Sequence, residues 1–307
     1  MRIWLGFGLE VYTNNAAYGW WTTAHGNWNC VCIGGLTMGA LAILGDDTTN
    51  TAPRIPNHII PTAVANHAQG ATPDGSWTET ANSWYFGITS HAEIASSHIY
   101  VSGNQQLFDY GDHEYSATAV PPLNRIQKPE YALFQRDRPD AAKPWSMPWY
   151  DPAVSGAYWN GLALDHYFED AADSWACMRT SWTDINGWYV AMKAGAPTGH
   201  DSHGNLDGGD FVIDFAGMRW AGELGSGDYI ADGYFTSEAQ DSPRWTYYRT
   251  RTEGRNTLVV NKHNQLVTAA PTCKFASSDT RQESSTVFNV PSDSAAMFTT
   301  DLTTNYG

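Results

Sequence analysis

The chain has 307 residues, 42% of them apolar, with 14 Trp, 16 Tyr and 11 Phe; that length favours two domains and that content excludes disorder. Seventeen basic residues stand against 32 acidic ones, a net charge of −15 that makes nucleic acid a poor partner. No apolar run reaches the roughly 18 residues of a membrane span, and four Cys are too few for a disulfide scaffold.

The opening MRIWLGFGLE carries one Arg and a short apolar run that stops at Glu10. It lacks a small-residue cleavage site, so it does not read as a signal peptide. A chain truncated in mid-helix is an equally good reading. Trp28, Val31, Leu36, Met38, Leu41 and Leu44 recur at roughly helical spacing through NWNCVCIGGLTMGALAIL. Cys30 and Cys32 within it read as buried helical thiols, since no second Cys/His pair has zinc spacing. Pro53 opens a second helix, PRIPNHIIPTAVANHAQ, and TSHAEIASSHIYVSG is a third, ended by Gly103. Helices in series, joined by polar loops such as GDDTTNTAP and TPDGS, predict a partial α/α toroid over residues 1–125.

Residues 126–157 are rich in Pro and Trp, as in RDRPDAAKPWSMPWYDP, and read as an ordered linker. Over 158–307 the pattern changes to short β-rich runs broken by Gly, Asn and Asp: SWACMRTSW, GWYVAMKAG, DFVIDFAG, MRWAGELG and NTLVVN. They predict an antiparallel β-sandwich, incomplete at the C-terminus because DLTTNYG closes the chain in what looks like mid-sheet. The fold class expected is therefore multidomain, α then β.

Arg244, Arg249, Arg251 and Arg255 crowd one segment. They form either a solvated charged strand pair or a positive wall that focuses an anionic ligand in an acidic protein. Trp20, Trp21, Trp28, Trp77 and Trp84 concentrate around the helical motifs, where a saccharide cleft would use some of them for ring stacking.

The segment TGHDSHGNLDGGDFVIDFAGMRWAGELGSGDY, followed by RWTYYRTRTEGRNTLVVN, resembles the heparinase II/III-like polysaccharide lyases. The NWNCVCIGGLTMGALAI helix and the PDGSWTETANSWYFG loop resemble that family's helical domain, so the likeness covers most of residues 20–262. It implies an α/α toroid followed by an antiparallel β-sandwich, with β-elimination on uronate-containing polysaccharides in the cleft between them. Members usually carry more helices before and more strands after, which implies a fragment of a longer protein. The substrate class implies an anionic polysaccharide partner and an extracellular or periplasmic location.

Elimination removes the C5 proton of a uronic acid and expels the oxygen on C4. The neighbouring carboxylate must be neutralised, and a base and an acid are required, each worth roughly 2–5 kcal/mol. The resemblance makes Asn29 the candidate carboxylate partner; a helix cap or an interhelical hydrogen bond is the plainer reading. Tyr85 is the candidate acid, and possible base, although the family's tyrosines align with Ser83 and Phe86 and leave Tyr85 a wall residue otherwise. His200 and His203 flank a Gly-bearing loop and are the candidate histidines, against a reading as backbone-bonded loop residues. Tyr248 is the candidate phenol from the β side, because strand alternation points only one of Tyr247 and Tyr248 into a cleft. Trp28, Trp84, Arg244 and Arg249 are candidate substrate contacts.

Many members of the family hold a structural zinc through His, Asp and His. The matching positions here are Asn205, Glu223 and Arg255. Asn is a poor zinc ligand and Arg cannot release its proton to become one. The expectation is no zinc and no other cofactor, with an Arg255–Glu223 pair in the metal's place or else a decayed site with Arg255 solvated. Two other functions stay open: a carbohydrate-binding relative with impaired catalysis, and a glycoside hydrolase using Asp207, Asp210 or Asp214.

Overall fold

The structure, a computed structural model, describes residues 2–14, 17–43, 45–66, 156, 159, 162–169, 173–196, 203–277 and 296–307. The expected helix at 89–103 lies outside them, as does the linker apart from Gly156.

Three helices open the chain: α1 (Arg2–Asn14), α2 (Asn27–Ala42) and α3 (Arg54–Ala65), with a 3-10 segment Ala17–Thr22 before α2. Leu5, Leu9 and Tyr12 recur at helical spacing on α1 and meet Ile33 and Ala40 of α2 and Ile55 and Ile59 of α3 in one core. Glycines allow α1 and α2 to approach. A Cβ at Gly8 would lie 2.2 Å from Leu36 Cδ2, and one at Gly39 would lie 3.1 Å from Leu5 Cδ2. Among the described side chains the expected face of α2 packs only at Leu36. Trp28 and Val31 are exposed, and Ile33 and Ala40 are buried.

The C-terminal part is antiparallel β. One sheet runs β1 (His166–Glu169), β2 (Asp173–Arg179), β3 (Tyr189–Gly195), β4 (Phe211–Phe215) and β5 (Met218–Ala221) in that order, and β6 (Thr272–Ala276) pairs with β7 (Met297–Asp301). A tight hairpin joins β4 to β5, with Ala216 (φ 53) and Gly217 (φ 73) both left-handed as a primed turn demands. Strand alternation gives the large sheet two buried faces. Phe168, Trp175, Cys177, Tyr189, Ala191 and Val212 fill one. Tyr167, Ala176 and Ala194 fill the other, against Cys273 and Phe275 of β6. Tyr167 stacks on Phe275 at 5.3 Å, so the small sheet covers that second face.

Four of the five expected strand runs contain β2 to β5. NTLVVN does not form a strand: Leu258, Val259 and Val260 are exposed, and Asn261 and Lys262 turn the chain at positive φ. None of the four cysteines is in a disulfide, Cys32 being half-buried and the others buried. No described helix is long and apolar enough to cross a membrane.

Candidate functional site

The chain entering β4 carries the half-buried His203, whose Nδ1 lies 3.3 Å from the Tyr229 hydroxyl. The two rings stack at 5.9 Å, and the imidazole meets Phe235 edge-on at 6.0 Å. Tyr229 and Phe235 both expose large faces, so an imidazole–phenol pair sits in an aromatic setting at the surface. One partner bonds or positions the proton of the other, an arrangement suited to acid–base work.

Arg244 holds this setting from behind. Its guanidinium donates to the Gly204 carbonyl at 2.9 Å and the Tyr234 carbonyl at 3.2 Å, and lies 4.6 Å from the centre of the Tyr234 ring. With 1% of its surface exposed it is a pin for the His203 loop, which corrects its expected role as a substrate contact. Residues 244–255 are neither a strand pair nor a continuous positive wall. They form two 3-10 turns, Pro243–Thr246 and Thr252–Gly254, in which Arg244 and Arg255 turn inward. Arg251 pairs with Glu253 at 2.7 Å, and the exposed Arg249 donates to the Leu224 carbonyl. Tyr247 donates to the Asp232 carbonyl at 2.6 Å, which leaves Tyr248 as the exposed phenol of the two.

Behind the His203 loop lies a buried charge cluster. Lys193 of β3 reaches Asp207 at 2.6 Å, with both side chains at most 2% exposed. Arg255 donates to Glu223 and to the Arg249 carbonyl. Asn256 ties the same chain to β4, its backbone N–H donating to Asp210 at 3.0 Å and its amide to the Phe211 carbonyl at 3.0 Å and Glu223 at 3.2 Å. Burial, with the neighbouring Glu223 and Asp207 charges, holds the Asp210 carboxyl well above the usual range. Burial also raises Glu223, against the opposing pull of Arg255. Asp214 is engaged as well, by Arg219 at 2.7 Å. The three aspartates proposed for a hydrolase are thus all buried, two in ion pairs and Asp210 bonded to the backbone.

The three positions matched to the family's metal site do not suit a metal. Glu223 supplies the only anionic donor, Asn205 lies against Arg244 at 3.5 Å, and Arg255 brings a permanent cation. Among the described residues no group of three or more His, Cys, Asp and Glu could hold a metal.

Gln265 is a structural residue that sequence reasoning missed. Its amide exchanges two hydrogen bonds of 2.8 Å with Gly208, beside Asp207, and accepts from Asn305 at 3.0 Å. Tyr229 was missed too. Its place in GSGDYIADGYF carries no signal beyond an aromatic in a Gly-rich loop.

On the helical side, Asn29 is fully buried, and its amide donates to the Trp21 carbonyl at 3.0 Å and the Thr22 carbonyl at 3.1 Å. Both amide hydrogens are committed, so Asn29 ties α2 to the preceding segment and offers no donor to a ligand carboxylate, a correction to its expected role. Trp28 and Trp20 form an exposed edge-on pair at 5.3 Å. Tyr85, Trp84 and His200 lie outside the described residues.

Residues 170–294 match the family described as Heparinase II/III-like, C-terminal. The matched stretch, under half of the chain, is similar to that family's C-terminal domain. It contains His203, Tyr229 and the whole buried charge cluster. A crystal structure of the heparan sulfate lyase HepC from Pedobacter heparinus is similar to the chain at 14% identity and a TM-score of 0.50, over 81% of this chain and 39% of that one. A mutant of that lyase aligns at 14% identity and a TM-score of 0.48, over 83% of this chain and 41% of the other. The chain thus spans about two fifths of the length of these lyases. No curated protein matches it. At that identity the likeness speaks for the fold alone; the similarity to the heparinase II/III-like family rests on the match over residues 170–294.

Proposed function

We propose that this protein is a polysaccharide lyase that cleaves a uronate-containing polymer by β-elimination. The observation that carries the reading is the half-exposed His203–Tyr229 pair inside the stretch similar to the heparinase II/III-like C-terminal domain. In this account the helical part contributes to a partial α/α toroid, the β part to a β-sandwich, and the substrate lies between them. His203 and a phenol move the C5 proton and the proton for the C4 oxygen. Tyr229 sets the orientation of His203, and Tyr85 and Tyr248 are the phenols proposed to reach the sugar. Trp28, with its partner Trp20, and Trp84 offer stacking faces, and Arg249 and His200 complete the proposed contacts. The printed name of the HepC structures makes heparan sulfate the first polymer to test. Such a polymer places the protein outside the cytoplasm, in the periplasm or beyond the cell.

A second reading, a carbohydrate-binding relative without turnover, is favoured by one observation: the amide of Asn29 is already spent on two carbonyls. One experiment separates the readings. The protein is incubated with heparan sulfate, heparin, hyaluronan, glucuronan and alginate, and the absorbance of unsaturated uronate is followed. A rise that is lost in His203→Ala and Tyr85→Phe supports the lyase. New reducing ends without that absorbance indicate hydrolysis, and binding without product indicates the non-catalytic relative.

A further inference from the structure

We propose that the buried charge cluster of the β part is locked without a metal ion, the Arg255 guanidinium making the cross-links between segments that a zinc ion would otherwise make. This inference is independent of the lyase reading, because it concerns what holds the domain together.

The cross-links can be traced bond by bond. Arg255 joins Glu223, which follows β5, to the Arg249 carbonyl, so one planar fork spans the segment after β5 and the Arg-rich segment. Asn256, next in sequence, adds the start of β4 through Asp210 and Phe211 and closes on the Gly222 carbonyl at 3.0 Å. Gly254 allows the approach: a Cβ there would lie 1.9 Å from the Tyr248 carbonyl oxygen. Asn205 sits on the other side, where Arg244 already faces its oxygen. Three segments, residues 210–211, 222–223 and 249–256, are thereby joined through fixed donors and acceptors. A tetrahedral metal would need ligands that can release or lack protons, which Arg255 cannot supply and Asn205 supplies poorly.

Charge supports the assignment. Lys193 and Arg255 face Asp207, Glu223 and Asp210, two cations against three carboxylates, all almost completely buried, and burial with the Glu223 and Asp207 charges holds Asp210 toward its neutral form. Adding a divalent cation would leave an excess of positive charge in a low-dielectric interior, and Arg255 cannot discharge to relieve it.

The test uses the full chain, produced with zinc in the medium and purified without chelator. Elemental analysis is expected to find far less than one zinc per chain, and the melting temperature is expected to stay within about 1 °C on adding EDTA, since removing an ion bound only to the folded state would lower it. Zinc near one per chain together with a fall of several degrees in EDTA overturns the inference when that zinc is lost on substitution of the cluster. If zinc is found, it is measured again in Glu223→Gln and, where that variant does not fold, in Asn205→Ala. Zinc retained there is bound elsewhere and leaves the cluster metal-free; zinc lost there overturns the inference.

Discussion

Replacing Arg255 by Met leaves Glu223 buried beside Asp210 and Asp207 with no counter-charge. Removing one partner of a buried pair typically costs about 3–5 kcal/mol. The structure sets a ceiling and a pH dependence. In the variant only the hydrogen bond with Asp210 still opposes the burial that raises Glu223, so at this ceiling the folded protein keeps that carboxyl protonated while the unfolded chain ionises it above pH 4.5. Each pH unit above that value then costs about 1.4 kcal/mol, or roughly 3.4 kcal/mol at pH 7. The sign follows: the deficit is largest at neutral pH and shrinks by about 2.7 kcal/mol between pH 7 and pH 5. Glu223→Gln behaves differently, because the stranded guanidinium cannot shed its proton while Asp210 loses the Glu223 charge that raises it, so its deficit does not grow from pH 5 to 8. The double variant strands no charge and should recover to within about 1–2 kcal/mol of the wild type. Urea denaturation of the four proteins at pH 5, 6 and 7 measures all of this. A loss below about 1 kcal/mol in Arg255→Met, unchanged with pH, would show that water reaches the pair and would refute the reasoning.

Three further outcomes are expected. Gly254→Ala, which at an unstrained site would stabilise by about 0.4–1 kcal/mol, should instead lose upwards of about 2 kcal/mol in urea denaturation, because its Cβ meets the Tyr248 carbonyl oxygen. His166 is held neutral, its pKa lowered to about 3 by burial and then by the Arg179 charge; stability is therefore retained above pH 6.5 and falls by about 2 kcal/mol on going to pH 5, a slope that should disappear in His166→Phe. Asn29→Ala should cost about 1–3 kcal/mol by removing two hydrogen bonds, the Trp21 carbonyl keeping the Ala24 N–H and the Thr22 carbonyl keeping the Asn66 amide; unchanged stability with lost turnover would return Asn29 to the substrate.

Local pattern served best where one period dominated. GWYVAMKAG and DFVIDFAG carry alternation and turn residues within a few positions, and β3 and β4 form there. The NWNCVCIGGLTMGALA helix formed as expected, yet it is apolar nearly all round, so its period could not say which face packs, and Trp28 ended outside while Ile33 went in. NTLVVN has a strand's composition but the Asn-Lys turn that follows it and the bond from Thr257 to the Gly208 carbonyl at 2.6 Å claim the chain instead. At the site, His203 was legible because a histidine on a Gly-bearing loop stands out. Arg244 was misread because a cluster of arginines looks solvated until Tyr234, Gly204 and Thr250 close around it, and those partners come from other segments. Gln265 had no sequence signal, since its bonds to Gly208 and Asn305 span 57 and 40 residues.

The proposed chemistry is tested most directly by the initial rate of unsaturated-uronate formation from heparan sulfate, wild type against His203→Ala. Loss of the general acid–base group should lower that rate by roughly 10²–10⁴-fold while circular dichroism stays unchanged. Equal rates in the two proteins, or chain cleavage that yields only saturated ends, would contradict it.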